Sequence, residues 1–164
     1  MGMLPPVTNL WVFLHIAGVA SFLLFHGVQI WALFAIPPAF PDREKMFDRA
    51  EQSRMAGTPM YASLGVLTLF GVIAGIDGSW FSRGWWLWGA IVALLATTGA
   101  MSALAGPYMR SIREATTRWA DGSYPVSDEN LEALVHGPRG RLVATDGMAG
   151  LAILLWLMVY KPGA

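Results

Sequence analysis

The chain has 164 residues, 55% of them hydrophobic and only 13% charged, and its 11 Lys and Arg are balanced by 11 Asp and Glu. Ordinary soluble domains carry about 25% charged residues, so the composition is that of one membrane-embedded domain, and the even balance points to no nucleic acid partner. There is no cysteine, which excludes disulfides, thiolate metal sites and cysteine nucleophiles.

Residues 1–9 read as a short leader, with Thr8 or Asn9 as the helix cap. Leu10 to Ile36 then runs for 27 residues without a charged side chain and stops at Pro37-Pro38. About 20 apolar residues cross a bilayer core, so this stretch spans. It lacks a basic start and a small-residue cleavage site, so it is expected to remain as an anchor. Residues 37–57 form a charged hairpin in which Asp42 caps a short helix to about Arg54. A second span covers about Pro59 to Ile76, where Gly71 and Gly75 allow close helix approach. After the turn at 77–84, a third span covers about Gly84 to Ala105. Trp80, Trp85, Trp86 and Trp88 gather at its start as an interfacial aromatic belt.

Gly106-Pro107 permits a kink, and a polar helix over 108–123 is expected to stop at Asp121-Gly122. Ser127 caps a further helix over 128–135. A fourth span runs from about Leu142 to Tyr160 and carries one acid, Asp146. The expected fold is all-α, an up-down-up-down bundle of four transmembrane helices with short amphipathic helices outside the membrane. The two long loops hold nine Lys and Arg against two at the other end, which orients both loops to the cytoplasm and both termini outside. The amphipathic segments 42–54 and 108–135 offer surfaces to other membrane subunits or a second copy.

The first span holds His15 and His26, eleven residues apart. At 100° and 1.5 Å per residue they leave one face about 16 Å apart. Gly18, Phe22 and Gln29 share that face. A histidine in hydrocarbon turns to the bundle interior and finds a partner. It can be an axial ligand of haem b, with Gly18 leaving room for the ring, or it can hydrogen-bond a neighbouring helix. The remaining histidine, His136, falls in a loop, so opposing ligands are sought among Met60, Met101, Met148 and Met158. Met158 is expected at the depth of His15. Copper is the alternative cofactor, because thioether and imidazole suit Cu(I), but the methionines do not cluster within a span. Asp146 is expected to pair with Arg141 or Arg110, with Gln29 at a similar depth. Thr97, Thr98 and Ser102 support helix packing, Tyr61 anchors at the interface, and Arg110, Arg113 and Arg118 serve as positive-inside anchors.

The stretch WVFLHIAGVASFLLFHG resembles the first helix of a group of small bacterial membrane proteins that includes the CopD-type copper-resistance domain and the HemJ-type protoporphyrinogen oxidase. The likeness rests on Leu14-His15-Ile16 with Gly18 and extends over the whole chain in architecture. A second His-Gly (His26-Gly27), a charged first loop and the Trp-rich turn match an uncharacterised four-helix family in that neighbourhood. The resemblance implies a ligand role for His15 and His26. It does not carry over the oxidase activity, since the late third-helix Tyr-His and the intramembrane lysine of HemJ-type enzymes have no counterpart here.

The expectation is therefore a protein of the bacterial inner membrane that binds haem b through His15 and His26, with Gly18 and Met158 completing the site. It would serve electron transfer or redox chemistry within a larger membrane complex. The alternatives are a structural subunit without cofactor and a copper-handling protein.

Overall fold

The structure is a computed structural model and describes residues 6–163; the leader's first five residues lie outside them. Among the described residues every regular element is helical: α1 Pro6–Ala35, α2 Arg43–Asp77, α3 Trp86–Thr116, α4 Asp128–His136 and α5 Pro138–Tyr160. Two short 3-10 turns, Pro37–Ala39 and Trp80–Ser82, complete the set. Four stretches, built on α1, α2, α3 and α4 with α5, are long and apolar enough to cross a membrane. Their large outward side chains, among them Phe13, Leu24, Phe34, Leu69, Val92, Leu95 and Val159, are exposed. That is the surface hydrocarbon solvates, and the fold is the four-helix bundle of a multi-pass membrane protein.

The helices are longer than the apolar runs. α1 is already helical at Pro6, so Thr8 and Asn9 lie inside it rather than capping it. Asp42 does cap, accepting from the Lys45 N–H at 3.1 Å, but the helix it starts does not stop near Arg54. It continues through Pro59 to Asp77 as one α2. α3 likewise passes through Pro107 but ends at Thr116, short of the expected Asp121. The hydroxyls of Thr116 and Thr117 fold back onto the Ile112 and Arg113 carbonyls at 2.8 and 2.7 Å. Trp119 to Gly122 then form a separate turn closed by Gly122 N–H on the Trp119 carbonyl.

α1 and α2 cross on small residues. A Cβ on Gly18 would stand 2.8 Å from the Leu67 backbone nitrogen, and one on Gly71 would stand 2.7 Å from His15 Nδ1. α3 and α5 cross where Thr97 rests on Gly150, the packing role expected of Thr97. The small-residue pair Gly71 and Gly75 is divided: Gly71 receives α1, whereas Gly75 receives the Phe81 and Leu87 side chains.

The buried hydrophobic core gathers at the arginine-rich end. Leu33 and Ile36 of α1, Met46 and Ala50 of α2, Tyr108, Ile112 and Ala115 of α3, Leu131 and Val135 of α4 and Val143 of α5 form one buried core. The apolar faces of segments 42–54 and 108–135 thus meet each other here. One guanidinium locks this end. Arg43 donates from Nη1 to Ala115 O at 2.8 Å, from Nη2 to Val126 O at 2.7 Å, and from Nε and Nη2 to Asp128 Oδ1 at 3.2 and 2.6 Å. It also stacks over Tyr124, 4.5 Å from the ring centroid. The start of α2, the end of α3 and the start of α4 are thereby tied together. The guanidinium meets the negative end of α3, and Asp128 the positive end of α4.

Ser127 caps α4 as its sequence position suggests, accepting from Asn130 N–H at 3.4 Å. Ser127→Ala is expected to lower stability by about 1 kcal/mol, read as faster amide exchange in α4 with the rest of the bundle unchanged. At the opposite end the tryptophans divide. Trp85 and Trp88 face outward, but Trp86 is buried. Lys161 Nζ lies 5.8 and 5.7 Å from the Trp80 and Trp86 rings. The expected four-residue belt is therefore half belt and half internal packing.

Candidate functional site

Between the α1–α2 pair and the α3–α5 pair lies an apolar cavity of about 950 Å³. All four long helices line it. It reaches from Trp80, Trp86 and Lys161 at one end to Arg54, Arg110 and Arg113 at the other. From Trp86 to Arg110 is 24 residues of α3, about 36 Å at 1.5 Å per residue, so the cavity follows the whole membrane thickness.

His15, His26, Met60, Met101 and Met158 all face it. Met148 does not join them; it is exposed on the outside of α5. His136 sits at the end of α4, edge-on to Phe40 with ring centroids 5.8 Å apart. Gly18 packs on the backbone of Leu67, so the space it provides is filled by α2.

The two cavity histidines differ. His15 Nδ1 donates to the Leu67 carbonyl of α2 at 2.6 Å. That bond fixes the tautomer and leaves Nε2 with its lone pair, the arrangement seen where a backbone carbonyl orients a histidine for ligation. It also satisfies the residue without any ligand. His26 is only 8% exposed, and its buried Nδ1 has no hydrogen-bond partner. Its ring stacks on Phe22, centroids 5.2 Å apart and nearly parallel. An unpaired polar group in so apolar a setting costs about 1–3 kcal/mol, so His26 is the imidazole with an unmet need.

Sequence reading did not find what surrounds His26. A Cβ on Gly147 of α5 would lie 3.4 Å from Met101 Sδ and 3.8 Å from His26 Nε2. An imidazole, a thioether and a glycine gap from three helices thus converge on one point. The signal was in the spacing: Thr97 and Met101 are one turn apart on α3, opposite Gly147 and Gly150 on α5.

The polar network expected around Asp146 does not form. Among the described residues Asp146 has no ion pair with Arg141 or Arg110, and its Oδ2 is buried without a partner. Arg141 is five residues earlier, 140° around the helix at 100° per residue, so it leaves another face. Gln29 turns to α2 instead, its Nε2 donating to Ser53 O at 3.4 Å. Among the described residues no three His, Asp or Glu side chains gather as a metal site.

At the arginine end of the cavity, Arg54 is hydrogen-bonded to Glu51, and Arg113 Nη1 lies 3.9 Å from the same carboxylate. The Arg54 hydrogen bonds, and then the charges of Arg54 and Arg113, hold the Glu51 carboxyl below its usual value. Arg110 has no hydrogen bond or ion pair among the described residues.

No family model matches the chain, and no curated protein or solved structure matches it significantly.

Proposed function

We propose that the chain is a haem-b-binding integral membrane protein that serves electron transfer, working beside other membrane subunits, with the arginine-rich loops in the cytoplasm and both termini outside. The observation that carries this reading is His26, a buried imidazole on the wall of an apolar cavity that four helices line, whose Nε2 faces the Gly147 gap beside Met101 Sδ while its Nδ1 stays buried without a partner. The donor set fits the group. Imidazole and thioether are haem ligands, His26 Nε2 and Met101 Sδ flank the same glycine gap, and about 950 Å³ is within the range of cofactor cavities.

Bound there, a haem b would supply one-electron redox chemistry. The protein's own part is to hold and insulate. Phe22 fixes the His26 ring by stacking, Gly147 keeps the space in front of Nε2 clear, and the apolar walls exclude water. His15, oriented by Leu67, presents a second imidazole on the same wall. The positive-inside bias of the loops supports the orientation, and the CopD-type and HemJ-type likeness of the first helix is consistent with a bacterial inner-membrane setting. Copper is the weaker cofactor reading, since imidazole and thioether suit Cu(I) but the methionines do not cluster within a span.

A specific observation favours one rival, a structural subunit without cofactor. The His15–Leu67 bond and the Gly71 notch hold the His15 ring as helix packing without any ligand. The two readings separate on the visible spectrum of variants. His26→Ala is expected to abolish or shift the Soret band of the haem-loaded protein while leaving helix content unchanged; His15→Ala is expected to lower thermal stability whether or not haem binds. An unchanged Soret band in His26→Ala, or no band in the wild type, would sink the cofactor reading.

A further inference from the structure

We infer that the cavity opens sideways into the bilayer between α1 and α5, toward the tryptophan end, and holds one acyl chain of a membrane phospholipid there. This stands apart from the cofactor reading, because it concerns the half of the cavity beyond the His26 level.

The long helices form a broken ring. α1 packs along α2, α2 meets α3 and α3 packs on α5, but α5 barely returns to α1. The two approach each other in the arginine half. There a Cβ on Gly147 would lie 3.8 Å from His26 Nε2, and Leu33 and Val143 share the buried core. From that level toward Trp80 the ring is open, and side chains mark its edges. On α1, Ile16 and Leu23 both line the cavity and are exposed; on α5, Leu155 and Val159 do the same. Ile16 and Leu23 are seven residues apart, within about 20° of one line along the helix. On each helix the edge lies about 140–180° around from the glycine that packs on the neighbour, Gly18 against α2 and Gly150 against α3. The gap therefore has one wall on α1 and the other on α5.

What fills it follows from where it lies. Gly147 to Lys161 is 14 residues, about 21 Å at 1.5 Å per residue. The seam thus runs through the hydrocarbon of one leaflet, half of a core about 30 Å thick. Water gains little there, since apolar cavities stay dry. The polar side chains of that half are turned onto α2, His15 Nδ1 to Leu67 O at 2.6 Å and Thr68 Oγ to Leu64 O at 2.7 Å. A close-packed interior leaves few voids of this size. The molecule that can fill this one without leaving hydrocarbon is the acyl chain of an adjoining phospholipid. Its head stays level with Trp80 and Lys161, where the cavity ends.

The test uses the full chain, without added haem, in vesicles of phosphatidylethanolamine and phosphatidylglycerol. The vesicles carry a trace of phospholipid with a diazirine midway along one acyl chain. After illumination the labelled residues are mapped by peptide mass spectrometry. Labels are expected on the cavity residues His15, Val19 and Leu154 as well as on the outward Phe13, Leu24 and Ile153. Labels on the outward residues alone overturn the inference. Leu151→Trp, which fills the cavity, is expected to lower the inward labels several-fold and to spare the outward ones. Val19→Trp, on the facing helix, should do the same, so the result does not hang on the folding of one variant. Inward labels that persist undiminished in both variants overturn the inference. So does an isoprenoid quinone that clears the inward labels where an equal excess of unlabelled phospholipid does not, since the chain held there would then not be a phospholipid's.

Discussion

Gly18→Leu is expected to destabilise the protein by about 3 kcal/mol or more and to separate α1 from α2. The new Cβ would stand 2.8 Å from the Leu67 nitrogen and 2.9 Å from its Cα. These are backbone atoms of a helix and cannot swing aside as a side chain would, so the whole crossing must open. His15 is one turn away on the same face and donates to the same residue at 2.6 Å, so its hydrogen bond is lost with the contact. In a membrane, close backbone approach and interhelical hydrogen bonds are much of what holds helices together, and this substitution removes both. The control is Gly27→Leu. Nothing lies within 4 Å of the position its Cβ would take, so its thermal unfolding in detergent should match the wild type. Similar melting temperatures for the two variants would contradict the crossing described here.

Arg43→Ala comes next in size, with an expected loss of about 3 kcal/mol. The side chain is 9% exposed and its guanidinium serves two backbone carbonyls and a carboxylate. Alanine leaves the Ala115 and Val126 carbonyls without that donor. Asp128 suffers less, because its side chain is 77% exposed and water replaces the partner. Arg43→Lys should recover only part of the loss, since an ammonium is a point donor and cannot span the fork of acceptors. The measurement is limited proteolysis of the segment between α3 and α4 together with thermal unfolding. Faster cleavage near residues 117–127 is the expected result, and cleavage at the wild-type rate would show that the lock is not what orders this segment.

The four spans were legible because a long uncharged run has few alternatives to a membrane helix. The helix ends were less so. Pro59 and the Gly57-Thr58 before it read as a break between a loop helix and a span, yet α2 runs through them. Its partner α1 contacts it from Ser53, through Gln29, to Gly71, through His15, and packing along that length overrides a local breaker. Pro59 costs one backbone bond to the carbonyl of Met55, a residue that is itself exposed. The converse error lies at Thr116 and Thr117, where a polar helix was expected to continue. Their hydroxyls compete for the carbonyls of the preceding turn, and the chain leaves the helix there.

Of the site, the inward face of α1 was legible from the eleven-residue interval alone. Which histidine is satisfied and which is not was hidden, because that depends on where the Leu67 carbonyl falls on another helix. Gly18 was read as room for a cofactor and proves to be room for a backbone. Arg110 was read as a positive-inside anchor, and what sequence could not give is that it also borders the cavity. Asp146 and Arg141 looked close in number, and helical geometry alone, 140° apart, already argued against pairing them.

The most direct test of the central claim is the reduced-minus-oxidised visible spectrum of the wild-type protein, purified from membranes with haem supplied during expression. The account predicts a Soret maximum and a sharp α-band of a b-type haem, both lost or shifted in His26→Ala and retained in His136→Ala. A colourless wild-type protein that is fully folded and melts cooperatively would contradict it, and would leave His26 as an unpaired imidazole in a structural bundle.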